Sequence, residues 1–179
     1  MISQSSGLWQ YLSQPQQALV EQGYFLVEDV KTHVPAFRIS DYSFLVFPFA
    51  KAYEGFLKKL FLDLGIIKRW QYEDDHFRIG KSLSPFMQKR LKQNSVYLRL
   101  TQLTGNSAFA DELWRVWREG RNQIFHYFPH NIKAITMGEA ETIIQALIAA
   151  MEHGVNIYYE YEANGAQKKF QHATLNKYG

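Results

Sequence analysis

YSFLVFPFAKAYEGFLKKLFLDLG, running from Tyr42 to Gly65, is the first stretch of the chain with a strong helical rhythm. Ala50, Tyr53, Leu57, Leu60, Phe61 and Leu64 recur at intervals of three and four, which lays one apolar stripe along a helix turning about 100° per residue. Ser40 or Asp41 is the expected N-cap. Pro48 places the start of the regular part near itself, because proline is tolerated in a first turn and disruptive later. Gly65 is the natural stop. Glu54 has Ala50, Leu57 and Phe61 one or two turns away, so it belongs to the edge of the buried stripe.

On the N-terminal side, residues 1–40 read as an accessory segment. Leu8, Trp9, Leu12, Ala18 and Leu19 suggest short helical pieces interrupted at Pro15. Gly23 precedes Tyr24-Phe25-Leu26-Val27, a predicted short strand or extended segment, and Pro35 separates all this from the first strong helix. On the C-terminal side the rhythm fades between Ile66 and Leu83. A second helix is predicted from Ser84-Pro85 to Leu103, ended by Thr104-Gly105-Asn106. A third starts at Asn106 or Ser107, carries Asp111 and Glu112 in its first turn, buries Phe109, Leu113, Val116, Trp117, Ile124 and Phe128, and closes at Pro129. A fourth runs from Gly138 or Glu139 to His153-Gly154 on Ile143, Ile144, Leu147, Ile148 and Met151. Beyond it Val155, Ile157, Tyr159 and Tyr161 alternate before Asn164-Gly165, which predicts a small hairpin unless the last helix runs on. The expected fold is all-α, a bundle of four to five helices spanning residues 41–154, with a tail at 155–179.

The chain has 179 residues, 46% of them hydrophobic, enough for one well-filled core. It has no cysteine, which excludes disulfides, thiolate metal sites and a thiol nucleophile. No run of eighteen apolar residues and no basic-then-apolar leader is present, so the expected setting is the cytoplasm, away from membranes. The net charge of +3 permits a polyanionic partner. Its distribution is more telling, since no Asp or Glu occurs from His76 to Ala110. Arg78, Lys81, Lys89, Arg90, Lys92 and Arg99 fall inside that window, with Phe86 and Tyr97 interleaved. Cations to hold phosphates and aromatics to stack bases make this an expected RNA contact through Lys81, Lys89, Arg90, Lys92 and Arg99.

Glu119-Gly120-Arg121-Asn122-Gln123-Ile124-Phe125-His126 carries the chemistry. On a helix Asn122 and His126 lie one turn apart, and the long guanidinium of Arg121 can curl toward them. Histidine, with an ordinary pKa of about 6.5, gives or takes a proton near neutrality. Arginine stabilises negative charge developing on a phosphorane, and an amide can orient the imidazole or hold a phosphate oxygen. These groups suit RNA cleavage by internal attack of a ribose 2′-hydroxyl, with no metal or other cofactor required. General acid and general base roles need two proton-transfer groups, and a homodimer would supply a second histidine.

An arginine, a polar residue and a histidine at this spacing on the penultimate long helix resembles the Rx4-6H motif of the HEPN superfamily. Pro48 to Leu60, reading PFAKAYEGFLKKL, is similar to the first core helix of its ribonuclease toxins of the RnlA and LsoA type. The resemblance spans roughly Asp41 to Gly154. It implies an endoribonuclease toxin, a dimer with a composite cleft, and a cognate antitoxin protein. By position, Arg121 and His126 match the catalytic pair, Asn122 the polar residue after the arginine, and Glu54 an acid on the first core helix. One subgroup has a tyrosine two residues after the histidine; here Phe128 stands there and Tyr127 is shifted by one.

Simpler assignments exist for the same residues. His126 can serve as a helix C-terminal histidine, and Arg121 can pair with Glu54 or Glu119. Trp114 and Trp117 fit core or interface packing, and His130 and His153 the surface. Gly80-Lys81-Ser82 lacks the earlier glycine of a phosphate-binding loop, which is Asp75 here, and His76 beside Asp74 and Asp75 does not make a metal site. The alternative function is a non-catalytic module that binds nucleotides, nucleic acid or a protein through the basic window.

Overall fold

The computed structural model describes residues 1–33, 38–126 and 134–175, with side chains up to Gly165 in the last stretch. Every regular element among them is helical: α1 (Gly7–Tyr11), α2 (Gln14–Thr32), α3 (Ser43–Asp63), α4 (Arg69–Glu73), α5 (Ile79–Ser82), α6 (Gln88–Leu91), α7 (Val96–Thr104), α8 (Ala108–Trp117) and α9 (Met137–Leu175). Single 3-10 turns flank α6, and a π-helical turn (Arg118–Asn122) continues α8. The all-α expectation therefore holds, and α2, α3, α7, α8 and α9 are the helices of nine residues or more. Among the described residues no helix is long and apolar enough to cross a membrane.

The central element is α3. Leu45, Val46, Phe49, Ala52, Tyr53, Phe56, Leu57, Leu60 and Phe61 are all fully buried, so its apolar surface extends well beyond one stripe and is covered by α2 on one side and α9 on another. Glycine lets both partners close in. A Cβ on Gly23 of α2 would lie 2.4 Å from the Phe49 ring, and one on Gly154 of α9 would lie 2.9 Å from Leu60 and Phe56. Those two contacts explain two differences from expectation. Tyr24 to Val27 is not extended but the middle of α2, because Gly23 seats that helix on α3. Gly154 does not end a helix; α9 runs through it, and the predicted hairpin at Asn164-Gly165 is a continuation of the same helix. Met151, Val155 and Tyr158 carry the helical row onward, with Tyr158 packed at 5.2 Å against Tyr11.

Pro15 also acts otherwise than expected, opening α2 in its first turn behind a Ser13–Gln16 capping box. Leu8, Tyr11, Leu12 and Val20 of the first forty residues join the same core as α3. Pro48, expected near a helix start, lies inside α3, which begins at Ser43. Asp41 supports the added turn, accepting from the Ser43 amide (3.0 Å) and hydroxyl (2.9 Å). The earlier start buries Leu45 and Val46, worth about 1.5–3 kcal/mol each, against about 3 kcal/mol for proline in a helix interior. Asp41 also accepts the Ile135 amide at 3.2 Å, tying the head of α3 to the approach to α9, which Thr136 and Glu139 cap reciprocally.

The stops at Gly65 (φ +67°) and Gly105 (φ +79°) are as expected, both left-handed. The continuous helix expected from Pro85 to Leu103 is instead broken. Lys92 has φ +49°, and Ser95, fully buried, accepts the Leu98 amide to start α7 afresh. The third expected helix keeps α geometry only to Trp117. Beyond it the π turn is marked by the Gln123 amide reaching the Arg118 carbonyl at 2.9 Å, followed by a turn through Phe125. Leu147 and Ile143 of α9 crowd Gly120 at this point, at 3.0 and 3.4 Å from where a Cβ would stand. Pro35, Tyr127, Phe128, Pro129 and His130 lie outside the described residues.

Candidate active site

The π turn aims its residues at the face of α3 that α2 and α9 leave open. Arg121 Nε donates to Glu54 Oε2 at 3.2 Å, across 67 residues of sequence, and its guanidinium lies 5.8 Å from the Trp117 ring centroid. Both charged side chains are a little over one-third exposed, so the pair is a positioning contact more than a source of stability. His126 Nε2 lies 3.1 Å from Asn122 Oδ1.

Glu54, Arg121 and His126 line one cavity of about 290 Å3, together with Phe47, Ala50, Lys51 and Phe125. Phe47 and Phe125 meet edge to face at 5.5 Å and are 52% and 36% exposed, which makes an apolar rim beside the charged floor. Asn122 stands behind His126, outside the lining. The spacing argument groups Arg121, Asn122 and His126; the cavity takes Arg121 and His126 and adds Glu54, expected from the resemblance and as an ion-pair partner of Arg121, and the local backbone is a π turn and not the regular helix expected.

Lys51 is the residue that sequence reasoning missed. It is exposed, makes no ion pair with any described residue, and adds a second cation to the cavity wall. Its position three residues before Glu54, one helical turn away, was the available signal. Trp117 is confirmed in the core: it is 9% exposed, stacks on Trp114 at 5.5 Å, and fits only because Gly80 has no side chain, a Cβ there falling 2.1 Å from the indole. Its Nε1 has no hydrogen-bond partner among the described residues.

The basic window separates into two groups. Lys81, Lys89, Arg90 and Lys92 are exposed on α5, α6 and the turn after it, and none forms an ion pair with a described residue. Arg99 is otherwise engaged, donating to the carbonyls of Gly65 (2.9 Å) and Ile66, and so closes the C-terminal end of α3. His153 is half-exposed and held by Glu112 at 2.6 Å. Among the described residues, no group of three or more His, Asp or Glu converges as a metal site would require, His76 with its acidic neighbours included.

Burial pushes the Tyr53 hydroxyl well above the ordinary tyrosine range; it donates to the Leu113 carbonyl at 3.2 Å and locks α3 to α8, the helix that leads into the site. Burial and the Asp63 carboxylate raise Tyr11 in the same direction, so both remain neutral donors throughout the accessible pH range. Compared with known proteins, the chain matches no family model, and neither a curated protein nor a solved structure reaches significance against it.

Proposed function

We propose that this protein is a HEPN-type endoribonuclease, acting as the toxin of a toxin–antitoxin or defence system and held in check by a cognate antitoxin protein. The observation that supports this reading most is the convergence of Glu54, Arg121 and His126 on one open cavity. A ribose 2′-oxygen would attack the adjacent phosphorus while its proton passes to an imidazole. The P–O5′ bond breaks, and the departing 5′-oxygen takes a proton. The products are a 2′,3′-cyclic phosphate and a 5′-hydroxyl. Arg121, held by Glu54, meets the charge that builds on the phosphorane, and Lys51 adds to the same field. These side chains can carry the reaction without a metal ion.

His126 supplies one proton-transfer group, so a second copy of the chain completes the pair. Phe47 and Phe125 on the cavity rim, with Phe44 three residues before Phe47 on α3, are all exposed and are the surface a two-fold contact would cover. A second reading has one observation in its favour: the Arg121–Glu54 pair is also what a purely structural ion pair looks like, and a non-catalytic RNA-binding or interaction module would retain it.

Cleavage decides between them. The purified chain should cut single-stranded RNA in EDTA and leave cyclic-phosphate ends. Arg121→Ala or His126→Ala should lower the rate by about 10²–10⁴-fold with unchanged helicity and oligomeric state. A parent protein that binds RNA and never cuts it would establish the module instead.

A further inference from the structure

A second cleft opens where the acid-free window begins. It holds about 270 Å3, near the lower end for small-molecule sites, and lies between α4, the loop from Asp74 to Arg78, α5 and the turn after α6. Trp70 stands on its wall and is 67% exposed, an unusual position for so large an apolar ring. Arg78 and Lys81 line the same cleft, are exposed, and make no ion pair with a described residue. Asp74 is the acid in the lining, and its Oδ1 already accepts the His76 amide at 2.8 Å. Asn94 adds an exposed amide to the lining. An aromatic face, two uncommitted cations and an amide around a volume this small match a base, a phosphate and a base edge.

Resting on the reading of the protein as RNA-directed, we propose that this cleft binds one unpaired nucleotide of the RNA strand, its base stacked on Trp70 and its phosphate held by Arg78 and Lys81. The cleft is a docking subsite, built from residues other than those of the Glu54–Arg121–His126 cavity. Stacking on an indole is tolerant of sequence, so the subsite favours unpaired RNA over duplex without selecting a base.

The test is binding by the full chain carrying His126→Ala, using a short fluorescein-labelled single-stranded oligoribonucleotide read by anisotropy in EDTA. Trp70→Ala should weaken Kd by about 5- to 100-fold, while Trp70→Phe, which keeps a stacking face, should stay within about threefold. Lys81→Ala should lower the slope of log Kd against log salt by about 0.7, one phosphate contact on a single strand. Melting curves check that each variant is folded, as the exposure of Trp70 predicts. The proposal is overturned if Trp70→Ala binds like its parent, if Trp70→Phe loses as much as Trp70→Ala, or if no binding is seen at all. The nuclease reading fails separately. Trp70-dependent binding by a parent that never cuts keeps the subsite and removes the enzyme, whereas cleavage with Trp70-independent binding does the reverse.

Discussion

The π turn after α8 and the segment from Ile66 to Asn94 both present cations to solvent, yet they are built in opposite ways. The first is wedged between α3 and α9: Gly120 lies under Leu147, Trp117 is sealed against Gly80, and Arg121 is oriented by Glu54. The second is a chain of one-turn helices pinned by a few anchors, Ile79 and Leu83 in the core and the Arg99 guanidinium on the end of α3. On the proposed reading, chemistry at a phosphorus tolerates little displacement, which suits Glu54 and Arg121 on packed elements, with His126 just beyond them on an exposed stretch. Capture of a flexible polyanion would need only exposed positive charge, and short helices provide that. A cation's worth therefore depends on what already holds it, as Arg99 and Lys89 show from within one acid-free window.

That contrast can be broken or sharpened in steps. The largest effect is expected from Gly154→Leu, which forces a side chain into Phe56 and Leu60 at the α3–α9 contact; stability should fall by about 1–3 kcal/mol, seen as a lower denaturation midpoint, and cleavage should fall with it. Arg99→Ala should come next. It removes two charged hydrogen bonds to backbone carbonyls and should cost about 1–2 kcal/mol after allowance for partial exposure, with the salt dependence of RNA binding unchanged. Glu54→Gln should leave stability within about 1 kcal/mol, since the pair is partly solvated, but lower cleavage about tenfold in kcat through a less constrained Arg121. Lys89→Ala should have the smallest effect, with the melting temperature unmoved and only the salt slope of RNA binding reduced, by about 0.7. If Arg99→Ala and Lys89→Ala behaved alike, the division of the window into anchor and contact residues would be wrong.

Much of this arrangement was legible from local pattern. The stripe on α3, its halt at Gly65, the end of α7 at Gly105 and the acid in the first turn of α8 follow from periodicity, left-handed glycine and the helix dipole, all of which act within a turn or two. Arg121, Asn122 and His126 could be grouped for the same reason, because neighbours in sequence remain neighbours whether the backbone turns as α or π. Lys51 was equally within reach, one turn from Glu54. Most of the misjudged regions share a cause. Gly23 looks like a break, Pro48 like a start and Gly154 like a stop when only local cost is weighed, and in each case burial against another helix outweighed it, whereas Pro15, which is exposed, opens α2 in a first turn where proline is tolerated.

Sequence alone determined that the chain is helical, that one segment sets an imidazole one turn from an amide, and that acids are absent between Asp75 and Asp111, because these are properties of spacing and composition. Tertiary packing decided that Glu54 meets Arg121, that Arg99 serves the end of α3, and that the third helix widens into a π turn. Those outcomes depend on contacts between residues tens of positions apart, whose energies no local pattern contains.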